Sequence, residues 1–167
     1  LQMVAKRGEI MSNVEGGGMA AVIGLDADAI CETLSPLSSP DIDLANFNSP
    51  GQIVLSGPAE QIREIIAPLK EAGAKLVVPL KVSGAFHSRM MEGPAEEFGV
   101  FLEQFEFSEP ELPVYSNVEA APYPDAASIP RLLVRQIHGP VRWTETILGM
   151  RGAGASEFEE CGPGSVL

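Results

Sequence analysis

Hydrophobic and polar positions follow two different periods along residues 18–82, and together they predict a compact α+β unit. Short runs rich in apolar and β-branched residues predict strands, and longer runs with apolar residues three and four positions apart predict helices. The predicted strands are Met19–Leu25, Ile42–Phe47, Gln52–Ser56 and Ala74–Val82, and the predicted helices run from about Ala27 to Leu34 and from about Ala59 to Ala72. This β-α-β-β-α-β order is the ferredoxin-like pattern, in which two helices cover one face of an antiparallel sheet.

Local signals mark the ends and breaks of these elements. Asp26 stands at the N-cap position of the first helix, where its carboxylate can accept a main-chain N–H. Pro68 lies inside the second helix and predicts a kink or a break, because proline has no N–H for the helical hydrogen bond. The glycines at 16–18 lack the lysine and hydroxyl of a phosphate-binding loop, so we predict a flexible hinge there.

A tight turn is predicted at residues 48–51, Asn-Ser-Pro-Gly, between the second and third strands. Three amide side chains surround this turn, at Asn46, Asn48 and Gln52. They could face a cleft, but turn chemistry explains them, and we favour that interpretation.

The remaining sequence alternates helices with short strands, which indicates part of an α/β sheet. Helical patterns cover residues 1–13, about 88–105, a stretch from about 129 that ends before Pro140, and Pro140 through Met150; strand-like runs cover residues 113–118 and 156–161, and the latter ends at the glycine and proline residues of 162–164.

His87 lies at a junction between a strand-like run and a helical pattern. The apolar residues 76–80 precede it, Gly84 interrupts them, and a helical spacing follows. A histidine at such a junction can reach a cleft while its backbone stays fixed. The alternative is that His87 merely closes the start of a helix, and spacing alone does not separate the two.

Composition and charge narrow the class of protein. The chain has 167 residues, of which 45% are hydrophobic and 20% charged, which fits a soluble globular domain with a possible subdomain. The net charge of −12 argues against binding to nucleic acid or to anionic membranes. An acidic partner would need a local basic patch, for which Lys6, Arg7 and Arg89 are candidates. No apolar run is long enough to span a bilayer, and we predict that Cys31 and Cys161 are buried, unpaired thiols of a cytoplasmic protein.

Several short stretches carry recognisable motifs. They are Arg7-Gly8-x-x-Met11, residues 18–25 (GMAAVIGL), residues 46–57 (NFNSPGQIVLSG), residues 82–91 (VSGAFHSRMM), residues 134–137 (VRQI), residues 140–143 (PVRW) and residues 162–164 (GPG). Together, and in this order, they resemble the malonyl-CoA:acyl-carrier-protein transacylase family and the related acyltransferase domains of polyketide synthases. The resemblance covers nearly the whole chain.

The resemblance implies a partial α/β-hydrolase-like domain, to which residues 1–17 and 83–167 contribute, with residues 18–82 as a small ferredoxin-like subdomain. It implies a ping-pong reaction in which a serine on a G-x-S-x-G elbow attacks malonyl-CoA with a histidine as its base. The pantetheine thiol of an acyl carrier protein then takes the malonyl group, in fatty acid or polyketide synthesis. No metal and no cofactor are expected beyond the phosphopantetheine on that partner.

The resemblance also assigns roles to individual residues. His87 matches the catalytic base of the family. A neutral imidazole with a pKa of about 6.5 suits that role, since it can take the serine proton. Arg7 matches the arginine that binds the free carboxylate of malonate through two parallel hydrogen bonds. Gln136 matches the position whose main-chain carbonyl orients the histidine, and Phe86 matches the position where a bulky ring selects malonyl over branched units. An ordinary surface, helical or packing role remains the alternative for each, and His138 is expected only at a helix end.

One departure limits the assignment. The chain contains no G-x-S-x-G, and Ser83, Ser88 and Ser165 are not on such an elbow, so no nucleophile is assigned. The glutamine-containing oxyanion segment of the family is also missing. The chain begins six residues before Arg7 in a helical pattern and ends on apolar residues, so we expect a fragment of a longer polypeptide that is inactive alone.

Three functions remain open at this stage. The leading one is an acyltransferase, of which this chain carries part of the catalytic site. The second is a non-catalytic docking or binding module with the acyltransferase shape. The third is a hydrolase of the same family that releases acyl groups from the carrier protein, and the presence of Arg7 disfavours it.

Overall fold

The computed structural model describes residues 1–37 and 41–162. Within that range the strands and helices are short and follow the predicted order closely. They are α1 (Gln2–Ser12), β1 (Gly17–Ile23), α2 (Ala27–Leu34), β2 (Asp43–Ser49), β3 (Gln52–Pro58), α3 (Ala59–Glu64), α4 (Ile66–Glu71), β4 (Leu76–Pro79), α5 (Glu92–Leu102), β5 (Tyr115–Ser116), β6 (Ala121–Pro122), α6 (Ile129–His138) and α7 (Trp143–Gly152), with short 3₁₀ helices at Arg89–Met91 and Ala126–Ser128.

The first four strands form one antiparallel sheet in the order β2-β3-β1-β4. Helices α2, α3 and α4 cover one face, and the apolar residues that point to them form the largest core cluster. Its fully buried members are Ala20, Val22, Ile30, Leu55, Ile65 and Leu69. The β-α-β-β-α-β order expected over residues 18–82 is therefore the order in which these elements occur.

The helix predicted from Ala59 to Ala72 is broken in two, as the proline within it suggested, but the break lies at Ile65. The cause is the missing N–H of Pro68, which leaves the carbonyl of Glu64 without its helical donor four residues later. Asp26 caps α2 as predicted, since its Oδ1 accepts the N–H of Ala29 at 2.9 Å.

A second cluster packs helices α1, α5 and α6 together, through Ile10, Met11, Met91, Phe98 and Ile137. The free face of the sheet meets this part of the molecule at Phe86, which packs against Met19, Ala45 and Val54. The linker between α6 and α7 also joins the sheet, because Val141 donates its N–H to the carbonyl of Ala45 at 2.8 Å. Strand β2 is therefore bonded to β3 on one edge and to this linker on the other.

The predicted hinge at the glycines is wrong for Gly17 and Gly18, which are the first residues of β1. A Cβ on Gly17 would lie 2.2 Å from the main-chain N of Ala85, so this glycine is needed where β1 passes the loop before His87. The close approach, rather than flexibility, explains its presence.

Two further predictions are wrong. Both cysteines are exposed: Cys31 follows the buried Ile30 on α2, so it points away from the core. The strand predicted at residues 156–161 does not form, because within residues 1–37 and 41–162 no strand pairs with it, and Cys161 is exposed with the rest of that segment. The strand predicted at residues 113–118 is reduced to β5, which pairs antiparallel with β6.

Two helices begin later than predicted: α5 begins at Glu92 instead of about residue 88, and α7 begins at Trp143 instead of Pro140. The last strand is predicted to end at residues 162–164, and of these residues 163 and 164 lie outside the described part of the chain. No helix in the described part of the chain is both long enough and apolar enough to cross a membrane.

Candidate active site

His87 lies in the loop between β4 and the 3₁₀ helix Arg89–Met91, and its backbone is left-handed, with φ of 59°. A residue with a Cβ rarely adopts this conformation, and strain of this kind costs about 1–3 kcal/mol. The neighbouring Ser88 is fully buried, and its hydroxyl donates to the carbonyl oxygen of Ala85 at 2.6 Å. The loop is thus closed by specific hydrogen bonds around a strained histidine, which is typical of functional sites.

The imidazole of His87 is oriented by the C-terminal end of α6. Its Nδ1 lies 2.9 Å from the carbonyl oxygen of Gln136 and 3.2 Å from that of Gly139. The last carbonyls of a helix have no intrahelical donor, so they are free to accept from a side chain. Because both neighbours are acceptors, Nδ1 carries the proton and Nε2 keeps an unshared electron pair.

Burial lowers the pKa of His87 below its usual value of 6.5. The bond to Gln136 raises the pKa, the charge of Arg7 lowers it, and the bond to Gly139 raises it, in that order of size after burial. The net lowering keeps the imidazole neutral at physiological pH. His87 is therefore a side chain with a fixed tautomer and a free basic nitrogen.

Arg7 projects from α1 and is partly buried, and burial lowers the pKa of Arg7. Among the lysines and arginines of the described residues, it is the only one that is partly buried without a carboxylate partner. Its neighbour Lys6, by contrast, is paired with Glu9 and Glu97. A guanidinium that is partly removed from water and has no anion beside it is suited to an anionic ligand.

A cavity of about 520 Å³ brings Arg7 and His87 together. The predicted selectivity residue Phe86 lies in the same wall. The complete lining is Arg7, Gly8, Met11, Ser12, Met19, Asn46, Leu80, Val82, Ser83, Phe86 and His87. Five apolar side chains and three short polar ones therefore surround one cation and one imidazole, an arrangement suited to a small acyl group that ends in a carboxylate.

His87 also lines a second cavity, of about 470 Å³, on its other side. Arg89, Arg135, His138 and Gly139 contribute to that wall. No other residue lines both cavities, so the imidazole stands between them. His138 is the last residue of α6, as expected.

The main chain and the side chain of Gln136 have different surroundings. Its carbonyl oxygen receives the His87 bond, whereas its side-chain Oε1 and Nε2 are buried without a partner in the described structure. The side chain therefore takes no part in orienting the imidazole.

Sequence reasoning missed two residues of this site. Gly139 supplies the second carbonyl for His87, and a Cβ there would lie 2.7 Å from both the Arg135 carbonyl oxygen and Val118 Cγ2. A glycine directly after a helix was the available signal. The second is Asn46: the prediction that turn chemistry explains this residue is wrong, because it lies within β2 and lines the Arg7 cavity.

The basic patch considered from sequence does not form, because Lys6 and Arg89 are each neutralised by carboxylates. Over residues 1–37 and 41–162, no cluster of three or more histidine, cysteine or acidic residues is arranged to hold a metal ion.

Comparison with known proteins assigns the chain to a family. Residues 1–167 match the acyl transferase domain family. The chain belongs to that family. The polyketide biosynthesis malonyl CoA-acyl carrier protein transacylase PksC of Bacillus subtilis (strain 168) is 47% identical over 169 residues, a match that covers 100% of this chain and 58% of PksC.

Solved structures agree with the family assignment. The crystal structure of FabD from Acinetobacter baumannii is similar at a TM-score of 0.90 and 35% identity, over 99% of this chain and 54% of that one. A complex of a type II polyketide synthase acyl-carrier protein with its malonyl-transacylase is similar at a TM-score of 0.86 and 38% identity, over 92% of this chain and 51% of that one. The acyl transferase chain therefore spans little more than half the length of the relatives it matches.

Proposed function

We propose that this acyl transferase chain provides the histidine base and the carboxylate-binding arginine of a malonyl-CoA:acyl-carrier-protein transacylase. The observation that carries the proposal is the shared cavity of Arg7 and His87. One residue there is an unpaired, partly buried cation, and the other is a neutral imidazole with a free Nε2. A malonyl thioester offers the matching groups, since it has a carboxylate at one end and an electrophilic carbonyl near the other.

In the proposed reaction, His87 moves protons and Arg7 holds substrate. A serine hydroxyl attacks the thioester carbonyl and gives its proton to His87 Nε2; the imidazolium then protonates the departing thiolate of coenzyme A. The pantetheine thiol of the carrier protein next gives its proton to Nε2 and attacks the malonyl-serine ester, and the serine leaves with that proton. The C-terminal end of α6 favours the transient imidazolium, because the helix dipole is negative there.

The serine is proposed to come from outside this chain. The sequence contains no G-x-S-x-G, and the relatives are longer than the part that it matches. In the complete fold, residues 1–17 and 83–167 would belong to the large α/β-hydrolase-like domain and residues 18–82 to the ferredoxin-like subdomain. Phe86 would restrict the space beside the malonyl α-carbon, and Gln136 would act through its carbonyl.

The acyl carrier protein and malonyl-CoA are the proposed partner and substrate, the cytoplasm is the proposed location, and neither nucleic acid nor membrane is a proposed partner. PksC and the structurally similar transacylases carry this activity in their names. A hydrolase of the same family would have no use for a carboxylate-binding group such as Arg7. A purely structural docking module would have no use for a strained, desolvated histidine with a fixed tautomer.

The proposal is tested in a chimaera in which this chain replaces the matching segment of PksC. We expect the chimaera to transfer labelled malonyl from coenzyme A to a holo carrier protein, measured by intact mass of the carrier. The chain alone, incubated in the same way, should gain no malonyl adduct. A folded chimaera that hydrolyses malonyl-CoA without transfer, or that does neither, would contradict the proposal.

A further inference from the structure

An ion pair beside His87 ties its loop to strand β2. Arg89 Nη2 lies 2.6 Å from Asp43 Oδ1, and Arg89 Nε lies 3.1 Å from Asp43 Oδ2. The main-chain N–H of Arg89 also donates to Asp43 Oδ2, at 2.8 Å. One carboxylate therefore binds both the side chain and the backbone of the residue two positions after His87.

His87 needs support of this kind because its backbone is left-handed. Ser88 closes the loop on one side, through its bond to the Ala85 carbonyl. Asp43 closes it on the other side, through the N–H of Arg89. These two bonds fix the backbone near His87, and the fixed backbone positions the imidazole.

The same strand also reaches one of the imidazole's acceptors. Two residues after Asp43, the carbonyl of Ala45 accepts the N–H of Val141 at 2.8 Å. Val141 lies two residues after Gly139, whose carbonyl receives the His87 bond at 3.2 Å. Strand β2 is thus bonded both to the loop that carries His87 and to the segment that carries Gly139, one of the two acceptors of the imidazole.

We propose that Asp43 is a positioning residue for His87: it holds the Arg89 backbone so that Nδ1–H points at the carbonyls of Gln136 and Gly139 and Nε2 stays unprotonated. Its catalytic consequence rests on the proposed function, but the positioning itself is a property of this chain. A carboxylate that served only as a surface ion pair would not need its bond to the main chain. That bond is the feature that separates a positioning role from a general contribution to stability.

The test is imidazole NMR on the uniformly ¹⁵N-labelled chain. The sequence has two histidines, so the His87 signals are read beside His138 as an internal reference. Long-range ¹H–¹⁵N correlation at neutral pH should give wild-type His87 as one tautomer, with the proton on Nδ1. In Asp43→Ala we expect a mixture of tautomers, and exchange of the Nδ1 proton with water at least about tenfold faster.

Two variants separate the parts of the contact. Arg89→Ala removes the ion pair but keeps the main-chain donor, so its effect should be smaller than that of Asp43→Ala. Asp41→Ala is the matched control, because Asp41 carries the same charge and lies 3.8 Å from Arg89 Nη1 without bonding to the backbone. It should leave the His87 tautomer and exchange unchanged.

Several results would overturn the inference. One is a folded Asp43→Ala chain with the wild-type tautomer and exchange rate, even if its Tm has fallen. Another is an equal effect of Asp41→Ala. If Asp43→Ala does not fold, Asp43→Asn is measured instead, and unchanged exchange there also overturns it. Failure of malonyl transfer in the chimaera with the wild-type tautomer intact would overturn the proposed function and leave this inference standing.

Discussion

Replacing Arg7 by methionine separates ligand binding from folding. Methionine keeps an unbranched side chain of good helix propensity at this position of α1. Arg7 has no carboxylate partner among the described residues, so the substitution breaks no ion pair there. It also relieves the desolvation that lowers the pKa of Arg7. We therefore expect the Tm of the chain to stay the same or to rise.

The same substitution should weaken catalysis on malonyl-CoA in the chimaera. Exposed ion pairs contribute about 0.2–1 kcal/mol, and loss of one partner of a buried pair costs about 2–5 kcal/mol. Arg7 is partly buried in a cavity, which places its pair with malonate at about 2–3 kcal/mol. At about 1.4 kcal/mol per factor of ten, kcat/KM for malonyl-CoA should fall roughly 30- to 150-fold.

The assay compares kcat/KM for malonyl-CoA and acetyl-CoA, because acetyl-CoA lacks the free carboxylate and should be affected little. Lys6→Met is the matched control, since Lys6 is the adjacent cation and already has carboxylate partners in Glu9 and Glu97. It should leave the malonyl-to-acetyl ratio unchanged. Equal losses on both substrates in Arg7→Met, or a lower Tm of the chain, would refute the role assigned to Arg7.

Three further predictions concern Phe86, His87 and Gly139. Phe86→Ser in the chimaera should shift the methylmalonyl-to-malonyl ratio of kcat/KM by about tenfold or more, and an unchanged ratio would mean that the ring only packs. Because the folded-state pKa of His87 lies below 6.5, its contribution to stability is present above that pH and lost as the pH falls, so His87→Asn should flatten the decrease in Tm between neutral pH and about pH 5. Gly139→Ala should lower the free energy of unfolding by about 1–3 kcal/mol in urea, whereas Gly152→Ala, whose Cβ would meet nothing within 4 Å, should not.

Much of the fold was predictable because short-range patterns determine it. Apolar periodicity gave the four strands of the sheet, and the cap at Asp26 and the break caused by Pro68 follow from single residues. The errors have a common physical cause, which is dependence on distant neighbours. The sequence around Gly17 predicts a hinge because it does not show the contact with Ala85, a residue 68 positions away. The strand predicted at residues 156–161 finds no partner among the described elements, and periodicity cannot report a missing partner.

Some residues of the candidate site could likewise be predicted from the sequence, and others could not. Arg7, Phe86 and His87 were recognisable from motifs, and the structure brings them to one cavity. Gly139 and Asp43 were not recognisable, because each acts through a main-chain hydrogen bond to a residue about fifty positions away. Each of these bonds joins residues that are far apart in the sequence, so no local pattern of residues indicates which partner each one has.

In the proposed reaction, His87 Nε2 removes the proton from the attacking serine. This step is tested most directly by the rate of covalent malonyl loading in the chimaera, followed by rapid quench and intact mass, with His87 and with His87→Ala. A positioned general base contributes about 10²–10⁴-fold, so loading should fall by that factor for both malonyl-CoA and acetyl-CoA, because the proton being moved belongs to the enzyme. A folded His87→Ala chimaera that loads malonyl within a few-fold of the parent rate would contradict this role of His87.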